Sequence, residues 1–226
     1  MIIENKNLSS LTTMFNLHTH RYTASSHCVE LVNVYPWELN SIPPVYSMGI
    51  HPWFIDATLW PLHLEIVEQY LSKSECWAIG ECGLDKRIDV PFETQLQVFE
   101  AHLKLAEKYQ KPVIIHLVGA FQELIALKQN LGITVPLVVH GFSKNGQLAK
   151  DLVKHGFYLS FGKYLMRNPE LKDAFLAVPE SQIFLETDSM EESIEEVYAL
   201  AANYRRQEVH ELTIKIQRNV ANVFGV

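Results

Sequence analysis

Short runs of apolar and β-branched residues recur along this chain, and longer stretches with helical periodicity separate them. Most of the runs are continuously apolar rather than alternating, which is the pattern of strands buried on both faces of a parallel sheet. The pattern predicts eight strands, at residues 13–17, 28–34, 45–50, 77–80, 112–115, 136–139, 157–161 and 182–186.

The stretches between these runs predict amphipathic helices. In the longest of them, residues 92–109, apolar positions recur on one face and charged residues lie opposite. Ser189 followed by Glu192 has the spacing of a capping box, so we expect a helix to begin at Met190. The predicted helices cover residues 58–73, 92–109, 121–130, 145–155, 169–177, 190–204 and about 207–223.

Eight strands with mostly helical crossovers predict an α/β fold, a single-domain (β/α)8 barrel of the TIM type over residues 1–226. The connections after the first two strands look short or irregular. The alternative is a doubly wound open sheet, which usually opens with a glycine-rich turn from strand to helix. No such turn follows the first predicted strand.

Composition narrows the class of protein. With 48% hydrophobic and 20% charged residues, the chain is neither disordered nor fibrous. No apolar stretch approaches the roughly 20 residues of a bilayer span, and residues 1–11 lack the pattern of a secretory signal. Three cysteines without CxxC spacing indicate reduced thiols, so we expect a cytoplasmic protein with no membrane partner. A net charge of −7 argues against a broad duplex-binding face.

Histidines and carboxylates follow the predicted strands. The C-terminal ends of barrel strands meet on one rim, so these side chains are expected to converge there. His18 and His20 lie two apart in an extended segment, so both imidazoles can reach one ion. Several histidines together with carboxylates are typical of a metal site. The strand-terminal candidates are His18, His20, His51, Glu81, His116, His140 and Asp188.

With these residues in this order, the sequence resembles the TatD-type metal-dependent hydrolases, which are deoxyribonuclease-like barrel enzymes. The resemblance covers nearly the whole chain, from Phe15 to Val226. The matching segments are HTH at 18–20, GIHPW at 49–53, AIGECGLD at 78–85, KPVIIH at 111–116, VVHGFS at 138–143, LSFGKYL at 159–165, LETD at 185–188 and NVANVFG at 219–225.

The resemblance implies two divalent ions and metal-assisted hydrolysis of phosphodiester bonds. It assigns Glu81 to bridge the two ions and Asp188 to accept a proton from the attacking water. Zinc, manganese or magnesium fit this role, and histidine-rich ligation favours the first two. The implied ligands of one ion are His18, His20 and Asp188, and those of the other are His116 and His140.

Three positions depart from the family pattern. Asn16 stands where the family usually has an aspartate, and Leu117-Val118 follow His116 where the family often has an arginine. After Asp188 the chain is expected to enter the next helix almost directly, without the family's proline-rich loop. The sequence therefore predicts an intact metal site and an altered substrate site.

Cations in the loops after the strands are candidates for phosphate contacts on an otherwise acidic protein. They are Arg87, Lys144, Lys163 and Arg167. His51 is as compatible with a substrate or supporting contact as with a structural role. The same choice stays open for Asp85, between a turn and support of the site. The five remaining histidines are interpreted as surface or packing residues, at positions 27, 63, 102, 155 and 210.

The predicted function is a divalent-metal-dependent phosphodiesterase that acts on DNA ends or single strands. One alternative is an amide or ester hydrolase of small molecules that uses the same metal site. Another is a catalytically weak metal-binding protein, against which the complete ligand set argues.

Overall fold

The computed structural model describes residues 13–226, so the expectation for residues 1–11 lies outside it. Eight parallel strands form one sheet in which each strand pairs with its neighbours in sequence. A parallel bridge between Thr19 and Asp188 joins the first strand to the end of the eighth. The strands are β1 Met14–Thr19, β2 Cys28–Val34, β3 Tyr46–Met48, β4 Cys76–Asp85, β5 Val113–Val118, β6 Leu137–Val139, β7 Phe157–Phe161 and β8 Ile183–Leu185.

Sequential strand order with near closure confirms the TIM-type barrel and rules out the doubly wound sheet, whose strand order reverses at a switch point. As expected, no helix lies between β1 and β2 or between β2 and β3 in residues 13–226. The helices are α1 Trp60–Leu71, α2 Phe92–Tyr109, α3 Phe121–Asn130, α4 Gly146–Lys154, α5 Lys163–Arg167, α6 Leu171–Ala177, α7 Ile194–Arg205 and α8 Val209–Phe224.

Strands β4 and β5 run beyond their predicted ends. The predicted strands stop before the first polar residue, but pairing continues from Cys82 with Ile115 to Asp85 with Val118. Glu81 therefore lies inside a strand rather than after one. Gln95 of α2 holds the end of β4, since it accepts from the Asp85 N–H at 2.8 Å and donates to the Asp85 carbonyl at 3.0 Å.

The close approach of β4 to β5 requires glycine at position 83. Gly83 has a φ of +148°, and a Cβ there would overlap the carbonyl oxygen of His116. This backbone contact sets β4 directly against the part of β5 that carries a candidate ligand.

The predicted start of α7 is wrong by four residues. The capping box is formed by Ser193 and Glu196, not by Ser189 and Glu192. The Ser193 N–H donates to Glu196 Oε2 at 2.7 Å, and the Glu196 N–H donates to Ser193 Oγ at 3.3 Å. Residues 189–193 thus form a loop after Asp188, where a nearly direct entry into the helix was expected.

The three cysteines are unpaired, as their spacing predicts. Cys28, Cys76 and Cys82 are free and buried, and burial raises the pKa of Cys28 and Cys76 to about 12. Cys82 packs in the core, as its place beside Glu81 in the strand predicts. In the described part of the chain, no helix is both long enough and apolar enough to cross a bilayer.

Candidate metal centre

Glu81 lies at the centre of the rim, and its two carboxylate oxygens face different groups of imidazoles. Oε2 lies 3.2 Å from His18 Nε2 and 3.6 Å from His20 Nε2. Asp188 closes this side, with Oδ1 3.5 Å from His20 Nε2 and 3.9 Å from His18 Nε2. The structure therefore brings together the three residues expected to share one ion.

The other oxygen, Glu81 Oε1, faces three imidazoles. It lies 2.7 Å from His140 Nε2, 3.0 Å from His116 Nδ1 and 3.1 Å from His51 Nε2. His116 and His140 are where the prediction places them. The structure adds His51, which the sequence left undecided, within 0.4 Å of the distances at which the two expected ligands lie from this oxygen.

The donor set fits divalent metal ions. His18 is fully buried; within the described residues its Nδ1 has no hydrogen-bond partner, and its Nε2 lies 3.2 Å from Glu81 Oε2 without the geometry of a hydrogen bond. A buried polar group without a partner is costly, and a metal ion would satisfy it. Ligand-type atoms lie within 4.8 Å of one another in three groups, which are His18 with His20 and Asp188, His18 with Glu81 and His140, and His51 with Glu81 and His116. Neutral imidazole and carboxylate are the ligands that zinc and manganese accept.

In the centre, burial and neighbouring charges shift the pKa values of Glu81 and His140 in opposite directions. Burial alone would raise the pKa of Glu81, but the charges of His140 and His18 and hydrogen bonds from the imidazoles hold it well below its usual value. Burial alone would lower the pKa of His140, but Glu81 and Glu186 raise it well above its usual value. Burial lowers the pKa of His51. Without metal, Glu81 is thus ionised and its nearest imidazole carries the compensating proton.

Backbone hydrogen bonds to β1 and to the residue after it fix the main chain of Asp188. Its N–H donates to the His18 carbonyl at 2.9 Å, and the His20 N–H donates to the Asp188 carbonyl at 3.3 Å. Its φ is 53°, in the left-handed region that aspartate tolerates better than most residues. The side chain is 24% exposed, so its carboxylate faces both the imidazoles and the solvent-filled mouth.

Two further carboxylates support the imidazoles. Asp85 Oδ1 accepts from the Arg87 N–H at 2.9 Å, while Oδ2 lies 3.3 Å from His116 Nε2. Asp85 therefore fills both of the roles between which the sequence left a choice. Glu186 Oε1 accepts from the Gly141 N–H at 2.8 Å and lies 3.4 Å from His140 Nδ1. Such contacts set the orientation and tautomer of a metal-binding histidine.

Sequence reasoning missed Glu186, Asn33 and His102 as parts of this site. The Glu81 N–H donates to Asn33 Oδ1 at 2.6 Å, which fixes the backbone of the central carboxylate. His102, interpreted as a packing residue, is fully buried, and its Nε2 accepts from the Ile50 N–H at 3.1 Å. Of these three residues, only Glu186 could have been recognised from the sequence, because it lies with Asp188 at the end of the last strand.

Asn16, the first departure from the family pattern, clamps β1 to the segment that carries Asp188. Its Nδ2 donates to Thr187 Oγ1 at 2.8 Å, and the Thr187 N–H donates to its Oδ1 at 3.0 Å. Both residues are buried. Asn16 therefore supports the position of Asp188 rather than the ring of His18.

Within the described residues, no hydrogen bond or ion pair joins the candidate phosphate contacts to the candidate metal ligands. Arg167 is exposed and pairs with Glu192 at 3.5 Å. Within residues 13–226, no ion pair involves Arg87, Lys144 or Lys163. Arg87 and Lys144 lie in the segments that follow β4 and β6, and Lys163 is the first residue of α5, which follows β7.

A cavity of about 390 Å³ opens beside Asp188, between the loop after β1 and the segment before α7. His20 and Asp188 line one side of it. Its charged lining is mostly acidic, with Arg21 against Glu30, Asp188, Glu191, Glu192 and Glu195.

A protein-family model described as TatD related DNase matches residues 2–225. The Escherichia coli K12 protein described as uncharacterized metal-dependent hydrolase YjjV is 28% identical over an alignment of 202 residues, and the alignment covers 81% of this chain and 78% of that protein. The Enterobacter lignolyticus protein described as 3'-5' ssDNA/RNA exonuclease TatD is 26% identical over 80% of this chain and 77% of its own length.

Solved structures show the same fold. The crystal structure of Escherichia coli YjjV superposes with a TM-score of 0.79 at 24% identity, over 96% of this chain and 99% of that one. A hydrolase of the TatD family from Entamoeba histolytica superposes with a TM-score of 0.74 at 17% identity, over 94% of this chain and 98% of that one.

Proposed function

Because this chain belongs to the TatD family of metal-dependent hydrolases, we propose that it hydrolyses phosphodiester bonds at DNA ends or in single strands. The observation that carries the proposal is the position of Glu81 between two groups of imidazoles, one at each carboxylate oxygen. A carboxylate that can bridge two ions is the central element of two-metal phosphoryl hydrolysis.

Under this proposal, His18, His20 and Asp188 would hold one ion, His116 and His140 would hold the other, and Glu81 would be shared between them. His51 lies close enough to Glu81 Oε1 to bind the second ion or the substrate oxygen beside it. When bound, divalent ions supply positive charge that polarises a phosphoryl oxygen and lowers the pKa of an attacking water.

The residues of the chain then have distinct tasks. Asp188 accepts the proton of the attacking water on its carboxylate, because this side chain faces the imidazoles through Oδ1 and is 24% exposed. Asp85 and Glu186 hold the rings of His116 and His140 in the ligating orientation. Asn16 and the backbone of β1 keep Asp188 in place.

The substrate class is supported by the relative named as an ssDNA/RNA exonuclease and by the concave end of the barrel. A chain end enters a barrel mouth more easily than the middle of a duplex. Lys144, Lys163 and Arg87 are the cations available to phosphates near the rim, whereas Arg167 already contacts Glu192. A few such contacts suit short single strands rather than a long duplex.

The acidic cavity beside Asp188 favours a second candidate, hydrolysis of an amide or ester bond in a small molecule. A wall with Glu30, Glu191, Glu192 and Glu195 repels a phosphate chain and suits a neutral or cationic group. The ligand set would be the same. The complete cluster of ligand-type residues argues against a merely metal-binding protein.

A substrate panel separates these candidates. Labelled single-stranded and duplex oligonucleotides are compared with model amides and esters, with Mg²⁺, Mn²⁺ and Zn²⁺ in turn. Glu81→Gln, purified in parallel, controls for contaminating nucleases, and Lys104→Gln on an exposed helix face controls for substitution itself. Oligonucleotide cleavage that is lost only in Glu81→Gln supports the proposal. Turnover of amides or esters without any oligonucleotide cleavage would refute the phosphodiesterase proposal and support the second candidate, hydrolysis of small molecules.

A further inference from the structure

Three aromatic rings form an exposed group at the mouth of the barrel. Trp37 is 39% exposed and Phe54 is 48% exposed, and Tyr35 is partly buried between them and the metal centre. Tyr35 and Trp37 come from the segment after β2, and Phe54 ends the short 3-10 helix after β3. These three residues are called the aromatic platform below.

The rings of the platform pack against one another and against α1. The rings of Tyr35 and Trp37 are parallel, with centroids 5.1 Å apart and planes 2° apart. Phe54 meets both edge-on, at 5.3 Å from Tyr35 and 6.1 Å from Trp37. His63 of α1 packs against Trp37 at 4.9 Å. Rings held on several sides lose little conformational freedom on binding, so they favour tight stacking of a planar group.

The platform is continuous with the metal centre. The Tyr35 ring lies 6.2 Å from that of His20 with 28° between the planes. The Phe54 ring lies 5.6 Å from that of His51. His20 and His51 both face Glu81, so a group that rests on the platform adjoins the position of the reacting bond.

We propose that the aromatic platform stacks a nucleobase of the substrate next to the scissile phosphate. This inference rests on the proposed phosphodiesterase function and names the part of the substrate that gives affinity. The chain carries a net charge of −7, and few cations stand near the rim, so phosphate contacts supply only part of the binding. Base–aromatic stacking depends little on base identity, because every base has a π-face.

A platform of this kind favours unpaired ends over paired ones. A base within a duplex is already stacked on its neighbours and cannot lie against Trp37 without leaving the duplex. An unpaired terminal base pays no such penalty. The platform therefore selects frayed or single-stranded ends that carry any of the four bases.

The experiment changes the protein and the substrate together. Wild type and Trp37→Ala are assayed on single-stranded oligonucleotides with a normal terminal nucleotide or with an abasic one. Loss of one base stack costs roughly 5- to 150-fold in binding. We expect each change alone to raise KM by that factor with kcat little changed, and the two together to raise it no further. Leu176→Ala, an equally exposed residue on α6, is the matched control and leaves KM unaltered.

The outcomes separate this inference from the function on which it rests. Wild type that cleaves normal and abasic ends with equal KM overturns the platform and leaves the phosphodiesterase standing. The inference is also overturned if the fold increases in KM caused by Trp37→Ala and by the abasic end multiply when the two are combined. Independent effects would mean that Trp37 and the terminal base share no contact. Absence of oligonucleotide cleavage, combined with a raised KM of Trp37→Ala for naphthyl esters, would make the platform a site for small aromatic esters and refute the nucleobase assignment. Phe54→Ala repeats the test should Trp37→Ala fold poorly.

Discussion

Replacing Asn16 by alanine tests how β1 holds the segment that carries Asp188. The substitution removes two buried hydrogen bonds to Thr187, at 2.8 and 3.0 Å. Each is worth about 0.5–1.5 kcal/mol net, and the buried Thr187 N–H left without an acceptor adds to the loss. We expect Asn16→Ala to lower the free energy of unfolding by about 2–4 kcal/mol. Activity should fall further than stability alone explains, because Asp188 adjoins the broken contact.

The assay is urea unfolding of the metal-free protein, followed by tryptophan fluorescence, so that metal affinity does not enter the result. Asn16→Asp is the matched variant. It keeps the acceptor for the Thr187 N–H, and the Thr187 hydroxyl can rotate to donate to the new carboxylate, so the loss is smaller than for alanine. Thr187→Val removes only the hydroxyl contact and costs about 1 kcal/mol.

A double-mutant cycle of Asn16→Ala with Thr187→Val measures the shared contact directly. The two losses should be less than additive, since both variants remove the 2.8 Å hydrogen bond. An Asn16→Ala protein within about 0.5 kcal/mol of wild type, with an unchanged denaturant dependence, would refute the clamp. Full additivity in the cycle would refute it as well.

The remaining predictions concern the metals, the base, the response to pH and the cations. Elemental analysis at excess metal should find two divalent ions per chain, and saturation at one would contradict the bridging role of Glu81. Asp188→Asn should lose about 10²–10⁴-fold in kcat while keeping most of its metal, and a near wild-type rate would show that another group takes the proton. Burial lowers the pKa of His102 to about 4 from 6.5. As pH falls, the unfolded chain therefore protonates His102 before the folded protein does. Between pH 7 and 4.5, the free energy of unfolding of wild type should fall by about 2–3 kcal/mol more than that of His102→Gln. Equal losses in both proteins would exclude His102 as the source. Lys163→Gln should flatten the salt dependence of oligonucleotide binding by about 0.7 in logarithmic slope, and Arg167→Gln by less because Arg167 pairs with Glu192; equal slopes in all three proteins would show that these cations are solvated.

The barrel could be predicted because it depends on local patterns. Continuous apolar runs identify strands buried on both faces. Each strand predicted from such a run is present in the structure. The bounds of α2 and α3 are as predicted, because their apolar faces and their ends are encoded within a single stretch of chain. The gathering of candidate ligands follows from the fold itself, since parallel strands bring their C-terminal ends to one rim.

The ends of helices and strands were less predictable where residues remote in sequence determine them. The pattern ended β4 before Glu81, but the strand continues to Asp85 because β5 pairs with it and Gln95 holds its end. Two serine-glutamate pairs have the spacing of a capping box before α7. Only packing of the intervening residues decides that Ser193, not Ser189, caps the helix.

The roles of single polar residues in the site were decided by tertiary structure alone. Asn16 and Thr187 are 171 residues apart in sequence, and Glu186 meets His140 across 46. His51 joins the centre because His102, on a helix 52 residues from Ile50, fixes the backbone before it. A sequence pattern records what each residue can bind, but which buried donor meets which acceptor depends on distances that exist only once the barrel has closed.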